Sequence, residues 1–261
     1  MRPSQPNVLI GSGLDPSGGA GFLADARVVA RLGARPVGIV TALTVQDTCS
    51  VHACHPVDAE VIGAQLTALL SDIEIGAVKL GVLGSPEVAR ELGRCLALTA
   101  APVVWDPVGA PSRGSIGFDR ALFEAALVEL APHLTLVTPN LAELQALLGL
   151  AAPITSLEQA TAAGRQLVDR TGVSVLVKGG HLGGAQASDV LCQPGGVEIL
   201  ACPRISEGHE VHGTGCALSS AIATHLALGL PLLEACRAAK QFVAERIEAP
   251  IRPGRGVAAV V

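Results

Sequence analysis

Short apolar runs alternate along the chain with longer segments in which apolar residues recur every three or four positions. Runs that are apolar at nearly every position are typical of strands covered on both faces of a parallel sheet. They predict strands over residues 8–10, 37–44, 77–83, 103–107, 134–138 and 175–178. The segments between them have helical periodicity and predict helices over residues 19–32, 58–72, 86–98, 119–130, 141–148 and 157–171.

A hairpin then interrupts the alternation, with strands over residues 190–192 and 197–201 around a Pro-Gly-Gly turn. Two helices follow, at about residues 216–228 and 232–247. Alternating strands and helices imply right-handed βαβ units. The pattern therefore predicts a single α/β domain over residues 1–261, with a mostly parallel central sheet and helices on both faces. Ligands should bind at the carboxyl ends of the strands.

Composition narrows the class of protein. The chain has 261 residues, of which 49% are hydrophobic and 2% aromatic, and its formal net charge is −5. That hydrophobic content excludes a disordered chain. Scarce aromatic residues argue against base-stacking modules, and an acidic chain without a Lys/Arg run is a poor binder of phosphate backbones. We expect no nucleic-acid partner.

The sequence also predicts a cytoplasmic protein without a membrane partner. Residues 1–15 contain one Arg and a three-residue apolar run, which is too little for a signal peptide. The charge-free stretch 213–233 is interrupted at Gly229-Leu230-Pro231, so its apolar part is too short to span ~30 Å of bilayer. Seven cysteines without paired spacing suit a reducing compartment.

The first glycine-rich segment, residues 11–21, follows a predicted strand and opens a predicted helix. A dinucleotide-binding fingerprint would require Gly where Pro16 stands, and a P-loop would require Gly-Lys-Ser/Thr where the chain has Gly18-Gly19-Ala20. Two interpretations remain: a close approach of the backbone to a ligand, or a tight turn without one.

The second segment is His-Gly-Thr-Gly-Cys, residues 212–216, before the most apolar helix. Gly213, Thr214 and Gly215 let successive N–H groups converge at a helix N-terminus, a favourable site for a phosphoryl group. Cys216 falls at the same N-terminus, where a thiol pKa is lowered. The alternative is that Cys216 is a small buried hydrophobe.

Two more segments contain candidate charged groups. Lys178 ends a predicted strand and precedes two glycines, which suits contact with a nucleotide phosphate, although a solvated loop lysine fits the pattern equally. Asn140 is a candidate helix cap, and Glu143 then falls where a reciprocal cap would lie. On one rim, the same two side chains could hold a hydrated Mg²⁺.

Together, seven segments resemble the hydroxymethylpyrimidine/phosphomethylpyrimidine kinase family of thiamine biosynthesis, within the ribokinase-like superfamily. The matching segments are residues 13–25, 41–48, 79–83, 106–108, 138–141, 178–181 and 212–216. The resemblance implies a ribokinase-like fold, Mg-ATP as phosphoryl donor and a homodimer. It also implies 4-amino-5-hydroxymethyl-2-methylpyrimidine as acceptor, commonly together with its monophosphate.

The resemblance further implies a role for each matching residue. The pyrimidine pocket would be formed by Gly13, Asp25, Gln46, Val82 and Val108, with Asp25 and Gln46 bonded to the amino and nitrogen edge of the ring. Cys216 would accept the hydroxyl proton, and the N–H groups of residues 213–215 would bind the phosphoryl oxygens. The nucleotide would contact Lys178, Asn140, Thr214 and Lys240, and Mg²⁺ would be held, through water, by Asp106, Asn140 and Glu143.

The sequence departs from the family pattern at several positions. Val82 stands where the family usually has Met, and Val211 follows Glu210 where a Thr is more common. Residues 109–114 read Gly-Ala-Pro-Ser-Arg-Gly in place of the usual lid segment, so phosphorylation of the monophosphate depends on this altered lid. Arg113 would supply positive charge there.

Two other functions compete with the pyrimidine kinase. A pyridoxal or pyridoxine kinase would use the same fold on another flat ring with a hydroxymethyl arm, but Gln46 beside Asp25 favours the aminopyrimidine. A non-catalytic pyrimidine-binding paralogue is disfavoured by the intact residues 213–216.

The segment after the second predicted strand contains candidate metal ligands. Cys49, His52, Cys54 and His55 have side chains that zinc could use, but their spacing is unlike that of common structural zinc motifs. We expect this segment to form a flap over the pocket.

Overall fold

The computed structural model describes residues 5–109, 120–205 and 211–261. Its strands are β1 (Asn7–Leu14), β2 (Arg35–Gln46), β3 (Val51–Pro56), β4 (Ile75–Leu80), β5 (Val103–Trp105), β6 (Leu136–Val137), β7 (Ser174–Val177), β8 (Gln186–Gln193) and β9 (Gly196–Pro203). Its α-helices are α1 (Gly21–Arg31), α2 (Ala59–Asp72), α3 (Pro86–Leu96), α4 (Arg120–Leu130), α5 (Leu141–Leu148), α6 (Leu157–Thr171), α7 (Thr214–Ala227) and α8 (Leu232–Glu248). Residues 110–114 of the altered lid, including Arg113, and Glu210 lie outside the described residues.

Within the described ranges, the strands form one sheet in the order β3-β2-β1-β4-β5-β6-β7-β8-β9. From β2 to β7 along this order the neighbouring strands are parallel. The strands β3, β8 and β9 pair antiparallel at the two edges. The carboxyl ends of β1, β2 and β4–β7 therefore meet along one edge of the sheet.

Two buried clusters, one on each face of the sheet, form the core. One lies under α2–α6 and contains the large side chains Leu66, Leu92, Trp105 and Leu144. The other lies under α1, α7 and α8 and is built from small aliphatic residues such as Val28. The predicted fold class, a mostly parallel sheet with helices on both faces, is confirmed.

Helix α7 explains the charge-free stretch of the sequence. Every residue from Ala217 to Thr224 is buried, so this helix is enclosed by protein on all sides. In the described part of the chain, no helix has both the length and the apolar character needed to cross a membrane.

Local signals in the sequence fix several helix ends. Asp58, Ser85 and Ser156 accept backbone N–H groups at the starts of α2, α3 and α6. Gly172 ends α6 in the left-handed conformation. Most predicted helices therefore agree with the structure to within one or two residues. The strand predicted to run to residue 83 ends earlier, at Leu80, because the chain turns there into the pocket wall.

Strand β3 was not predicted as a strand. It pairs with β2 from Ala42 opposite Pro56 to Gln46 opposite Val51, at the edge of the sheet. Only its first residue is buried, so the sequence lacks the alternation of apolar and polar residues that identifies a strand. The described residues, which include Cys49, His52, Cys54 and His55, contain no group of three or more His, Cys, Asp or Glu side chains that could hold a metal ion.

Candidate active site

A cleft of about 730 Å³ opens at the carboxyl edge of the parallel strands. Its walls come from the loop after β1, the flap between β2 and β3, the N-terminal ends of α5 and α7, and the loop after β7. Of the residues predicted to form the site, all but Asp25 line this cleft. They are Gly13, Gln46, Val82, Asp106, Val108, Asn140, Glu143, Lys178, Gly213, Thr214, Gly215, Cys216 and Lys240.

The N-terminus of α7 forms the floor of the cleft. Gly213 adopts a left-handed conformation, with φ of 81°, and a Cβ there would lie 2.1 Å from the carbonyl oxygen of Gly19. Its own carbonyl accepts the N–H of Ala217 at 2.9 Å, the first bond of the helix. The four N–H groups of residues 213–216 precede that bond and have no partner within the helix, so they are available to an anion.

Three charged side chains face this helix end. Lys178 Nζ lies 2.7 Å from Asp106 Oδ1 and 3.5 Å from Glu143 Oε2. The Ser219 hydroxyl contacts Asp106 Oδ2 at 3.4 Å. A Cβ on Gly215 would lie 3.1 Å from Lys178 Nζ, so the glycine lets the helix approach the ammonium group closely. The cluster has two carboxylates for one lysine, beside an anion-binding helix end.

Glu143 and Asn140 form the predicted capping box of α5. The N–H of Asn140 donates to Glu143 Oε2 at 2.7 Å, and the N–H of Glu143 donates to Asn140 Oδ1 at 2.9 Å. Burial raises the pKa of Glu143 to about 7, and the Asp106 carboxylate adds to this while Lys178 opposes it. Burial disfavours the charge of Lys178, but the two carboxylates outweigh it and raise the pKa of Lys178.

This donor set fits a hydrated magnesium ion. Carboxylate and amide oxygens are the ligands that Mg²⁺ prefers, and the ion usually retains several waters next to substrate phosphates. Asp106, Asn140 and Glu143 all line the cleft next to the N-terminus of α7.

Cys216 does not have the predicted acidic thiol. Burial raises its pKa to about 11, and the carboxylates of Asp25 and Asp106 act in the same direction. Lys79 and a hydrogen bond from the N–H of Gly21 lower the pKa but do not compensate. The expectation of a lowered pKa was wrong because desolvation outweighs the helix N-terminus here.

The prediction that Asp25 lines the pyrimidine pocket was also wrong. Its side chain is fully buried beneath the cleft. Asp25 Oδ2 contacts Lys79 Nζ at 2.6 Å, and Asp25 Oδ1 accepts the hydroxyl of Ser220 at 2.8 Å. Both carboxylate oxygens therefore have partners inside the protein, because α1 presents this position to the sheet and to α7.

Another part of the cleft wall is formed by Gly13, Val82 and Gln46. Gly13 lies where the pairing of β1 with β2 shifts, and a Cβ there would lie 3.4 Å from Val82 Cβ. The Thr44 hydroxyl donates to the carbonyl of Leu14 at 2.8 Å and lies 3.3 Å from Gln46 Oε1, and Gln46 Nε2 lies 3.4 Å from His212 Nε2. This end of the cleft thus combines an apolar wall at Gly13 and Val82 with the amide of Gln46.

Asp15 and His212 were not predicted as site residues, although both lie in quoted motifs. His212 Nε2 is 3.6 Å from Asp15 Oδ2, and both residues line the cleft. Burial alone would raise the pKa of Asp15, but hydrogen bonds from His212 and Ser17 outweigh it and lower that pKa. The Asp-Pro-Ser order signals this local turn, in which Asp15 Oδ1 accepts the N–H of Ser17 at 2.8 Å.

Asp189 is a further residue that the sequence did not reveal. It accepts the N–H of Gly179 at 2.9 Å and contacts Lys240 Nζ at 2.6 Å. Lys240 therefore lines the nucleotide end of the cleft while paired with Asp189. No local signal marks Asp189, because its role depends on the meeting of β8 and α8.

Comparisons with known proteins agree with this geometry. The phosphomethylpyrimidine kinase family pattern matches residues 15–261. The chain is 38% identical to the hydroxymethylpyrimidine/phosphomethylpyrimidine kinase of Rhizobium meliloti, over 94% of this chain and 93% of that protein. It also matches the multifunctional protein ThiED of Corynebacterium efficiens, of whose length it spans 33%.

Two kinds of solved structure are similar to this fold. Pyridoxal kinase from Staphylococcus aureus in complex with ADP superposes with a TM-score of 0.90 at 29% identity, covering 99% of this chain and 94% of that one. Phosphomethylpyrimidine kinase from Clostridium difficile superposes with a TM-score of 0.79 at 31% identity, covering 94% and 100%. The chain has a ribokinase-like fold and belongs to the phosphomethylpyrimidine kinase family.

Proposed function

We propose that this chain, as one kinase domain, transfers the γ-phosphoryl group of Mg-ATP to 4-amino-5-hydroxymethyl-2-methylpyrimidine and to its monophosphate in thiamine biosynthesis. One observation carries the proposal. The N-terminal end of α7 and the cluster of Lys178, Asp106 and Glu143 border one cleft, which Gly13, Val82 and Gln46 also line. We therefore assign the phosphoryl donor and the phosphoryl acceptor to one cavity.

The nucleotide belongs at the Lys178 end. Lys178, Asn140, Thr214 and Lys240 contact it, and the N–H groups of residues 213–215 bind the transferring phosphoryl oxygens. Asp106, Asn140 and Glu143 hold Mg²⁺ through water. When bound, the ion neutralises charge on the triphosphate.

The acceptor ring belongs against the wall formed by Gly13 and Val82, with Val108 as a further apolar wall. Gln46 presents an amide, which has both a donor and an acceptor, to the amino and nitrogen edge of the pyrimidine. The Gln46 amide lies within hydrogen-bond distance of Thr44 Oγ1 and His212 Nε2, which border it on the cleft wall. This arrangement directs the hydroxymethyl group towards the N-terminus of α7.

Cys216 receives the proton that the alcohol loses as the new O–P bond forms. Its thiolate is a minor species in the free chain, because the pKa of the thiol is about 11. Phosphoryl transfer has a loose transition state that demands little strength from the base. We therefore assign to Cys216 both proton acceptance and orientation of the hydroxyl group.

The test is ADP release with Mg-ATP and three acceptors in parallel: the hydroxymethylpyrimidine, its monophosphate and pyridoxal. Turnover of the first two is expected. Turnover of the alcohol alone would show that the altered segment 109–114 no longer supports the second step. Binding of the pyrimidine without ADP release would overturn the enzyme proposal.

Pyridoxal is included because of a specific observation. The pyridoxal kinase of Staphylococcus aureus superposes with a higher TM-score, 0.90, than the phosphomethylpyrimidine kinase of Clostridium difficile, 0.79. If pyridoxal is the best acceptor, the chain is a vitamin B6 kinase. Gln46→Leu serves as the matched variant, since it removes the amide and should weaken the aminopyrimidine more than pyridoxal.

We further propose that the protein is a homodimer. The edge strand β3 and the neighbouring strand β2 leave Leu43 and Val45 about half exposed, at 49% and 51%. A second copy of the chain would cover them. Light scattering coupled to gel filtration should give twice the 26.4 kDa mass of the chain, and Leu43→Glu should shift it towards the single mass.

A cytoplasmic location is the last part of the proposal. All seven cysteines are free thiols, as expected in a reducing compartment. Fractionation of cells that express a labelled protein tests this location directly.

A further inference from the structure

The pair Asp25–Lys79 has no part in the proposed chemistry, and yet it is the most deeply enclosed ion pair described in the chain. Its nitrogen and oxygen atoms lie 2.6 Å apart, and both side chains are 0% exposed. Lys79 Nζ also lies 3.4 Å from the hydroxyl of Ser12. A buried ion pair is a weak source of stability, because desolvation of the two charges can exceed their attraction. The position of this pair therefore calls for another explanation.

The pair lies against α7, one helical turn from Cys216. Ser220, which donates its hydroxyl to Asp25, follows Cys216 by four residues on α7, so the two side chains occupy one face of the helix. Ser12 is on β1, Asp25 on α1 and Lys79 on β4. The pair thus links the helix that carries the thiol to three elements beneath it.

Four charged side chains act on the Cys216 sulfur. Lys79 from β4 and Lys178 after β7 are positive, while Asp25 from α1 and Asp106 after β5 are negative. Lys178 and Asp106 lie at the open nucleotide end of the cleft, where bound phosphate changes their surroundings. Lys79 and Asp25 are sealed, so their contribution to the potential at the sulfur is fixed by the fold.

We propose that Asp25 and Lys79 are positioning residues that set the ionisation of Cys216. The Lys79 ammonium stabilises the thiolate, and the Asp25 carboxylate limits this effect. Ser220 fixes the position of the pair relative to the thiol through its hydrogen bond to Asp25. This inference rests on the proposed role of Cys216 as proton acceptor. In that step the alcohol oxygen forms its bond to phosphorus, the bond to ADP breaks, and the alcohol proton passes to sulfur. The thiol then exchanges its proton with solvent, and the pair sets the small fraction of thiolate present at this equilibrium.

The experiment measures the ionisation of the thiol without turnover. The protein is alkylated with iodoacetamide at fixed pH below the pKa of Cys216, and mass spectrometry follows the peptide that contains this residue. Asp25→Asn should speed its alkylation about three- to tenfold, and Lys79→Met should slow it by a similar factor. The double variant Asp25→Asn/Lys79→Met should lie between the two.

Opposite signs distinguish an electrostatic role from a structural one. If both single variants change the rate in the same direction, or neither changes it, the proposal fails. The rate at Cys236, which is buried in the adjoining helix α8, must stay constant, since opening of the core would raise both rates. A raised rate in Asp25→Asn that persists on a plateau at high pH would indicate access rather than ionisation and would also overturn the proposal.

If Lys79→Met does not fold, Asp25→Asn alone tests the proposal. This variant should fold, because its amide oxygen can still accept a hydrogen bond from Lys79. The result is also independent of the proposed function. If Cys216→Ala retains full turnover, Cys216 is not the proton acceptor, while the alkylation rates still report whether the pair controls the thiol.

Discussion

Two ion pairs between an aspartate and a lysine have nearly equal N···O distances but differ in their access to solvent. Asp25 and Lys79 lie 2.6 Å apart and are fully enclosed, whereas Asp106 and Lys178 lie 2.7 Å apart with Lys178 15% exposed. The first pair is surrounded by helix α7 and the sheet. The second borders the cleft, with a further carboxylate, Glu143, 3.5 Å from the lysine.

The difference shows that the same kind of Asp–Lys ion pair serves two purposes in this fold. In the enclosed pair, the hydroxyl groups of Ser12 and Ser220 are further partners, and both charged side chains are closed off from the cleft. At the open pair, Glu143 is a second carboxylate and can bind a cation. The partly exposed ammonium of Lys178 can bind a phosphate. Loss of a lysine should therefore impair catalysis at the open pair and stability at the enclosed pair.

Lys178→Met should have the largest effect, on turnover. We expect kcat to fall about 10⁴-fold, equivalent to about 5 kcal/mol of transition-state stabilisation, because the variant removes the positive charge nearest the transferring group. ADP release at saturating substrates measures it. Arg90→Met, at the exposed pair with Glu87, is the matched control and should leave kcat unchanged. A fall smaller than tenfold in Lys178→Met would place the phosphates elsewhere.

Lys79→Met, at the enclosed pair, should have its main effect on stability and cause a large loss. Leaving Asp25 buried and unpaired should lower the free energy of unfolding by ~3–5 kcal/mol. The double variant Asp25→Asn/Lys79→Met should recover most of this loss, since no lone charge remains. Urea denaturation followed by circular dichroism measures both variants. Equal losses in the single and double variants would show that packing, rather than charge, holds this site.

Glu143 should make stability depend on pH. Its pKa is about 7 in the folded chain against an ordinary value of 4.5, so between these values the folded chain binds more protons than the unfolded one. The free energy of unfolding should therefore fall, by about 1–3 kcal/mol, as pH rises through this window. Glu143→Gln keeps the cap acceptor and should remove this component. Parallel stability curves for the two proteins would refute the assignment.

The smallest expected effect separates capping from ligand binding. Asn140→Ala and Ser156→Ala each remove a helix cap, of α5 and α6, and each should lower stability by ~1 kcal/mol. Only Asn140 lines the cleft, so only Asn140→Ala should raise the KM for Mg-ATP. If both variants raise this KM equally, the effect of Asn140 is that of a cap alone.

Much of the open pair could be predicted from the sequence. Lys178 and Asp106 each follow an apolar strand, and parallel strands bring their carboxyl ends together. The capping box at Asn140 is a local signal with fixed spacing, and the structure confirms it. Glycines and helix starts likewise indicated the N-terminus of α7.

The enclosed pair could not be predicted in the same way. Asp25 and Lys79 are 54 residues apart, and nothing near either residue indicates that the fold buries both. The direction of the Cys216 pKa shift also depended on burial, which a helix-end argument does not include. Strand β3 depends on pairing with β2, because its own residues are mostly exposed or half-buried.

Helix α7 also affects the order in which the protein can become functional during synthesis. The hydrogen bond from Ser220 to Asp25 joins residues 195 positions apart. At roughly 5–20 residues per second, a ribosome needs roughly 10–40 s to make the intervening chain. Until then, Asp25 and Lys79 lack the helix that covers them, and the helix end to which we assign phosphate binding has not been made. We therefore expect an unfinished chain to be unable to transfer a phosphoryl group until α7 closes the core.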